Sequence, residues 1–334
     1  MHAIPELGTP IGSPGPEHRH HWGGMNFDGR VPRESVHKSA DAEVLLTDSV
    51  RLDDDRFAVA ALWRRDHYLR HHGGPASDPV LLAETARQAA IHLSHRFFDV
   101  AHDWAFVLSE ISVDLFEELP PVGAEHLAVR LDVVCPRPAE GARRLRLELN
   151  ADVSVRHRRL GRVRVRWEPM EPRRYALLRR RVAREPVAPR PRPEPPRVRL
   201  CPARVGHLVE RDVLIDTDQL RANGWWLRLD QEHPVLFDHG SDHVPGMALV
   251  EAFRQAGRVA AGDGRPGASG VTLLAVEFMA FGELDAPVSI TAESVCPDGT
   301  TFGLRAHQDG RELAHATVRC AATDSARARL GAAC

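Results

Sequence analysis

The chain has 334 residues, with 44 basic and 46 acidic side chains and a formal net charge of −2 at pH 7. A chain of this length is predicted to form two domains or one large one. The near-neutral charge argues against a nucleic-acid-binding protein, because such proteins carry a strongly basic surface. The five cysteines show no CxxC spacing, which argues against a zinc site or a disulfide framework.

The first 30 residues are rich in Pro, Gly and His, and we predict that they form a disordered tail. They lack the basic-then-apolar order of a signal peptide, and no apolar run approaches the ~20 residues that span a bilayer. We therefore expect a cytoplasmic protein without a membrane partner. The histidines within residues 18–22 are metal-binding side chains, but a flexible tail seldom preorganises ligands. We predict neither a metal nor another cofactor.

Residues 31–183 follow the order strands, one helix, more strands. Residues 42–68 alternate apolar and polar side chains, as half-buried strands do. The Ala-rich block that follows is predicted to be a helix, with Asp78 as its N-cap and Pro79 in its first turn. Four β-rich runs come next, separated by Pro, Gly and charged residues.

The order then begins again after a linker. Residues 184–200 contain six prolines and are predicted to be stiff and extended. Residues 201–323 repeat the sequence of strands, one helix and further strands, and residues 324–334 form a predicted C-terminal tail. The chain is therefore predicted to be a tandem duplication of one domain.

The two predicted helices share the motif E-x-x-R-Q-A at a constant offset of 167 residues. Agreement of this kind, inside segments of the same predicted type, indicates an internal repeat. The matched residues are Glu84 with Glu251, Arg87 with Arg254, and Gln88 with Gln255.

A single apolar helix followed by antiparallel strands must bury its surface against the sheet, which predicts an α+β fold. The stretch PGMALVEAFRQAG, residues 245–257, is similar to the P-G-V-L-x-x-E-A-x-A-Q helix start of hotdog hydroxyacyl-carrier-protein dehydratases. With VHKSADAEVLLTD (36–48), RRDHY (64–68) and FDHGSDHVPGM (237–247), it resembles the AfsA-type γ-butyrolactone biosynthesis family over about residues 34–322.

The resemblance implies a tandem (double) hotdog fold, in which each repeat is a long central helix wrapped by a curled antiparallel sheet. It also implies an acyltransferase that joins a 3-oxoacyl group, delivered by acyl carrier protein, to dihydroxyacetone phosphate. The phosphorylated ester is a precursor of a γ-butyrolactone or butenolide signal that controls antibiotic production. Two paired hotdogs in one chain make either a monomer or a homodimer feasible.

Acyl transfer to an alcohol needs a base, donors for the developing oxyanion and, for this acceptor, a cation for the phosphate. Glu251 with Gln255, and Glu84 with Gln88, share helix faces because each pair is four residues apart. We predict Glu251 as the base, acting through His239. Further candidates are Asp242 and His243 before the second helix, His67 before the first, Gln255 and backbone N–H groups as oxyanion donors, and Arg87, Arg254 or Lys38 for phosphate.

The two repeats are not equivalent in sequence. The first has Asp78-Pro79 where the second has Pro-Gly, and its loop is longer. We therefore expect one repeat to be degenerate and the second to carry the working helix. Phe237 stands fourteen residues before Glu251, where a dehydratase carries its histidine, and this difference argues against dehydratase chemistry.

Other interpretations stay open at this point. The glutamates are compatible with a solvated helix face, the aspartates with helix caps and the arginines with surface ion pairs. The basic run at residues 173–184 is either a solvated segment or a docking surface for acidic acyl carrier protein. As a whole, the chain is also compatible with a hotdog thioesterase or dehydratase, or with a non-catalytic module that binds an acyl ligand.

Overall fold

The computed structural model describes residues 21–22, 24–70, 76–122, 126–138, 144–183, 197–262, 270–297 and 299–321. Histidines 18 and 20, most of the predicted linker and the whole of the predicted C-terminal tail lie outside these residues. Part of the segment predicted to be a disordered tail is ordered, since Met25 and Phe27 are buried against Ala58 and Ala60. Burial of two large apolar side chains explains the order.

Fifteen strands and four α-helices are found among the described residues. The strands are β1 (His21–Trp22), β2 (Met25–Asn26), β3 (Leu46–Arg51), β4 (Arg56–Trp63), β5 (Ala105–Leu115), β6 (Leu127–Val134), β7 (Leu147–Val155), β8 (Arg158–Met170), β9 (Arg197–Arg199), β10 (Ile215–Asp218), β11 (Gly224–Leu227), β12 (Val271–Phe278), β13 (Ser289–Ser294), β14 (Thr301–Gln308) and β15 (Arg311–Cys320). The helices are α1 (Pro79–Phe97), α2 (Pro172–Ala183), α3 (Pro202–Val205) and α4 (Gly246–Ala260).

Thirteen of the strands form one antiparallel sheet in the order β3-β4-β6-β7-β8-β5-β12-β15-β14-β13-β11-β10-β9. Outward from the central β5–β12 pair, the two halves run through corresponding strands. Glu110 of β5 pairs with Glu277 of β12, and these residues differ by the same 167 positions as the two helices. The two repeats are therefore related by an approximate two-fold axis that passes near this pair.

Each long helix packs against the sheet of its own repeat. Helix α1 contacts β5 and β8, and α4 contacts β12 and β15. The predicted N-cap of α1 is confirmed, because Asp78 Oδ1 accepts a hydrogen bond from Val80 N at 3.0 Å. The predicted tandem hotdog, a central helix wrapped by a curled sheet in each repeat, is the observed fold. Within the described part of the chain, no helix has the length and apolar character needed to cross a membrane.

Candidate active site

The glutamine of the E-x-x-R-Q-A motif has the same contacts in both repeats. Gln88 accepts from Leu45 N at 2.9 Å and donates to Glu43 O at 2.8 Å and to Glu84 Oε1 at 2.9 Å. The amide therefore ties the segment before β3 to the helix and orients the glutamate. Both N–H bonds of its amide are used in these contacts.

Gln255 repeats this arrangement on α4. It accepts from Leu214 N at 2.9 Å and donates to Asp212 O at 2.8 Å and to Glu251 Oε1 at 2.7 Å. Since Gln255 is fully buried and both donors are engaged, the structure does not place it where it would stabilise an oxyanion. The amide has a structural role instead.

The motif arginines hold the glutamates by two-pronged ion pairs. Arg87 donates through Nε to Glu84 Oε2 at 2.7 Å and through Nη2 to Oε1 at 2.9 Å. Arg254 makes the same fork to Glu251, at 2.8 and 2.6 Å. The glutamates are 1% and 0% exposed, so neither lies on a solvated helix face. Each motif is a buried, hydrogen-bonded unit.

A cavity of about 670 Å³ lies between the two repeats. Its polar lining comes from both, so the site is composite. The first repeat contributes Lys38, Glu84 and Arg87, and the second contributes Asp238, His239, Asp242 and His243. The other walls are largely apolar and include Ile91, Phe106, Leu108, Leu236, Leu249 and Phe278.

Glu84 is an anion between two cations. Lys38 Nζ lies 3.1 Å from Glu84 Oε1, and the Arg87 fork holds the same carboxylate. Burial acts to raise the pKa of Glu84, but the charges of Arg87 and Lys38 outweigh it and keep the pKa below its usual value. A carboxylate held so firmly in its charged form is a weak base and a strong anchor for the two cations.

His239 stands beside this cluster, where its surroundings favour the neutral imidazole. Burial, followed by the nearby charges of Arg87 and Lys38, lowers the pKa of His239. The loop that carries it is tied to the first repeat, because Asp238 Oδ2 accepts a hydrogen bond from Ser39 N at 2.7 Å. A neutral imidazole inside a cavity is equipped to accept a proton from a bound hydroxyl group.

Asp242 and His243 are fixed by α2 at another side of the cavity. Asp242 Oδ1 lies 2.6 Å from His243 Nδ1 and accepts from Tyr175 Oη at 2.8 Å. Arg179 donates through Nε to Asp242 Oδ2 at 3.1 Å and also pairs with Glu283. This network joins α2 of the first repeat to the loop before α4.

The N-terminus of α4 opens into the cavity. Its N-cap residue, Pro245, has no side chain able to accept a hydrogen bond, and Gly246 and Met247 line the cavity. The first N–H groups of a helix have no partner within the helix. Together with the helix dipole they form a potential site for negative charge.

The corresponding region around Glu251 is filled by protein side chains. His207 Nε2 lies 2.6 Å from Glu251 Oε1, and its ring packs against His67 with centroids 4.4 Å apart. His67 Nε2 lies 3.1 Å from Asp78 Oδ2, and that residue caps α1. The first repeat thus closes this second region with its own histidine and aspartate.

The three potential metal ligands in this closed region are His67, His207 and Glu251, whose ligand atoms all lie within 4.8 Å of one another. The Arg254 guanidinium lies 3.0 Å from His207 Nε2 and 2.6 Å from Glu251 Oε1. A cation already contacts two of the three residues, and a metal ion would have to approach them against that charge.

The structure divides the predicted site residues into two groups. Those at the cavity are Lys38, Glu84, Arg87, His239, Asp242 and His243, with Gln88 behind Glu84. Those in the closed region are His67, Glu251, Arg254 and Gln255. His239 therefore faces Glu84, not Glu251 as expected. Sequence reasoning passed over His37, Tyr68 and Tyr175 of the cavity lining, although His37 precedes Lys38 and Tyr175 lies in the basic run.

Comparison with known proteins agrees with this architecture. A family model described as the A-factor biosynthesis hotdog domain, AfsA, matches residues 25–171 and 189–324. The chain belongs to the AfsA family. Within the AfsA family, a protein from Streptomyces virginiae named 2-oxo-3-(phosphooxy)propyl 3-oxoalkanoate synthase is 37% identical over 265 residues, which cover 79% of this chain and 87% of the relative.

A second relative and a solved structure are also similar to this chain. A Streptomyces griseus protein of the same name is 32% identical over 291 residues, covering 84% of this chain and 92% of the relative. Among solved structures, an acyl-ACP thioesterase from Bacteroides thetaiotaomicron aligns with a TM-score of 0.48 at 14% identity, covering 79% of this chain and 98% of that one.

Proposed function

We propose that this AfsA-family protein is an acyltransferase that joins a 3-oxoacyl group to the hydroxyl of dihydroxyacetone phosphate. The name shared by the relatives describes the ester that this reaction forms. We take the acyl donor to be a thioester on acyl carrier protein, and the ester to be a precursor of a γ-butyrolactone or butenolide signal that controls antibiotic production. The observation that carries the proposal is the composite cavity, which combines a neutral imidazole, two cations and an open helix N-terminus with apolar walls.

His239 is assigned the role of general base. It takes the proton of the acceptor hydroxyl as the new C–O bond forms at the acyl carbon, and returns that proton to the thiolate when the C–S bond breaks. The reaction therefore needs no external proton donor. Support comes from the lowered pKa of His239, which leaves its imidazole neutral near pH 7. This role replaces the one predicted for Glu251, which lies in the closed region.

Lys38 and Arg87 are assigned to the phosphate of the acceptor. They contribute two positive charges at the cavity and share Glu84 as their anionic partner. A phosphate has oxygens enough to bind both cations while each keeps a contact to the carboxylate. Glu84 is then a positioning residue, since it holds the two cations and does not touch the reacting carbon.

The N–H groups of Gly246 and Met247 are assigned to the oxyanion that develops on the acyl carbonyl. The Pro-Gly that begins α4 keeps this helix end free of a side-chain cap, whereas Asp78 caps α1. Preorganised backbone donors are effective at such positions because they need no rearrangement during the reaction. The apolar walls accept the acyl chain.

The test is product analysis with purified protein. A panel of 3-oxoacyl thioesters is supplied with and without dihydroxyacetone phosphate, and products are identified by mass spectrometry. Ester that forms only with the acceptor supports the proposal, and His239→Asn is expected to abolish it. Hydrolysis that is independent of the acceptor indicates a thioesterase, and binding of thioester without turnover indicates a non-catalytic binding module.

A further inference from the structure

Helix α2 has an inward and an outward face beside the cavity. On the inward face Tyr175 and Leu178 line the cavity, and Arg179 is held by Asp242 and Glu283. The guanidinium of Arg179 also lies 5.1 Å from the ring centroid of Phe281, another lining residue. The inward face is therefore a fixed wall of the site.

The outward face combines positive charge with an exposed apolar side chain. Arg173, Leu177 and Arg180 are spaced i, i+4, i+7, which places them on one stripe of the helix. All three are exposed, and Leu177 is 60% exposed. This outward stripe lies on the same helix whose other side forms the cavity wall.

The charge of the outward stripe is not neutralised within the described part of the protein. Arg174, next to it, pairs with Glu168 at 2.9 Å. Arg173 and Arg180 make no ion pair with any described acidic residue, and α2 itself contains no acidic residue. Two exposed arginines that flank a leucine thus form a basic surface with an apolar centre.

Helix α2 packs next to the rim of the cavity. Met279 lines the cavity and is 59% exposed, so this residue reaches solvent. Two residues further on, Phe281 packs edge-on against Tyr175 with ring centroids 6.1 Å apart. The solvent-exposed rim is therefore next to the inward face of α2, and the outward stripe lies on the other side of the same helix.

We propose that the outward stripe of α2, residues Arg173, Leu177 and Arg180, docks the acidic carrier protein that delivers the acyl thioester. The inference rests on the proposed function. A carrier with an acidic surface and a small apolar spot matches the charge and the leucine of the stripe. Charge steering speeds encounter with such a partner and weakens as salt screens it.

The experiment compares two donors of one acyl group. Ester formation is measured with a 3-oxoacyl group on acyl carrier protein and with the same group on N-acetylcysteamine, which has no protein surface. For the double variant Arg173→Glu with Arg180→Glu, we expect KM for the carrier-bound donor to rise about tenfold or more, because reversed charges repel an acidic partner. KM for the small thioester is expected to stay unchanged.

A matched control reverses two exposed arginines elsewhere, Arg56→Glu with Arg221→Glu, neither of which lines the cavity. This variant should behave as wild type with both donors. Raising the salt concentration should increase KM for the carrier-bound donor in wild type and change it little in the Arg173/Arg180 variant. Milder substitutions, Arg173→Gln with Arg180→Gln, repeat the test if charge reversal lowers the thermal midpoint.

The outcomes separate the docking proposal from the proposed function. An unchanged KM for the carrier-bound donor overturns docking on α2, and so does an equal rise for both donors, which indicates damage to the cavity. If wild type makes no ester from either donor, the proposed function fails instead. A rise in KM for the carrier-bound donor alone in Leu177→Asp would independently support a role for the apolar centre of the stripe.

Discussion

Lys38 and His207 occupy the same position in the two repeats. Lys38 Nζ lies 3.1 Å from Oε1 of Glu84, and His207 Nε2 lies 2.6 Å from Oε1 of Glu251. Each comes directly after a residue in the left-handed conformation that ends a short helical turn. The lysine lines the cavity, while the histidine is buried against His67. The difference between a lysine and a histidine at this position helps to explain why Glu84 faces a cavity and Glu251 faces a closed cluster.

Replacing Lys38 should therefore affect both binding and proton transfer. Lys38→Met removes one cation from the cavity, and we expect kcat/KM for ester formation to fall about 100-fold. The positive charge of Lys38 also lowers the pKa of His239, so its removal should raise that pKa. The acid limb of the kcat/KM profile then moves to higher pH, because protonated His239 is inactive as a base.

The measurement is a pH–rate profile of wild type, Lys38→Met and Lys38→Arg. Lys38→Arg keeps the charge and should keep the acid limb near its wild-type position, even if its larger head lowers the rate. If the acid limb of Lys38→Met stays at its wild-type pH, His239 is not the base whose protonation produces that limb.

The two motif glutamates should give different results when changed identically. Glu251→Gln removes the anion that is hydrogen-bonded to the buried guanidinium of Arg254, and we expect a loss of about 3–5 kcal/mol in the free energy of unfolding. The protein that remains folded should retain ester formation, since Glu251 does not line the cavity. Glu84→Gln should destabilise as well, but it also releases Lys38 and Arg87 and should lower kcat/KM about 100-fold or more.

Denaturant unfolding gives the free energy of unfolding of both variants, and steady-state kinetics give their kcat/KM. The rates are divided by the folded fraction of each variant. Loss of ester formation in folded Glu251→Gln would show that Glu251 is needed for catalysis. It would contradict the assignment of the active site to the cavity beside Glu84.

Much of the fold was predictable from local patterns. The duplicated E-x-x-R-Q-A helices and the strands around them predicted two equivalent units, and the N-cap at Asp78 was predicted from its position before Pro79. These features depend on neighbours in sequence, since helix starts and apolar periodicity are local. The sheet order then follows from pairing the two units at β5 and β12.

The composition of the site was less predictable because it depends on which helix each loop faces. His239 and Glu251 are twelve residues apart in sequence, yet the electrostatic neighbours of His239 include Lys38, Glu84 and Arg87 of the other repeat. One donor of Gln255 is likewise taken by Asp212 O, which is 43 residues away in sequence, and this contact forms only when the chain is folded. Spacing along one helix cannot reveal contacts with residues outside that helix, whether they lie in the same repeat or in the other.

The buried carboxyl group of Asp78 should make the free energy of unfolding depend on pH in a direction opposite to that of most aspartates. Burial raises its pKa to about 6 in the folded protein, although the charge of Arg254 acts in the opposite direction. The unfolded chain releases the same proton near the ordinary aspartate pKa of about 3.9. The folded state therefore binds more protons between these values, and this residue's contribution to stability falls as the pH rises from about 4 to about 6.

Asp78→Asn removes this titration and keeps a side-chain acceptor for Val80 N, because asparagine is an equally good N-cap. The free energy of unfolding of the variant should rise relative to wild type as the pH increases through that window. Urea unfolding of both proteins at several pH values measures the difference. A difference that does not change with pH would show that Asp78 titrates normally in the folded protein.

Gly257 is a position where α4 closely approaches its sheet. A Cβ atom there would lie 2.6 Å from Cγ1 and 2.9 Å from Cβ of Val318, which is fully buried in β15. The equivalent residue on α1 is Ala90. We expect Gly257→Ala to destabilise the protein, because an overlap of this kind costs about 1–3 kcal/mol. The gain in helix propensity, at most about 1 kcal/mol, does not offset that cost.

A double-mutant cycle with Val318→Ala tests the cause. Val318→Ala removes Cγ1, the closest atom at 2.6 Å, and Cγ2, and it leaves Cβ at 2.9 Å. In that background Gly257→Ala should destabilise less than in wild type, since the closest overlap is gone and only the contact with Cβ of residue 318 remains. The loss of stability caused by Gly257→Ala is therefore expected to depend on residue 318. If Gly257→Ala destabilises equally in both backgrounds, its effect comes from the helix itself and not from the contact between α4 and β15.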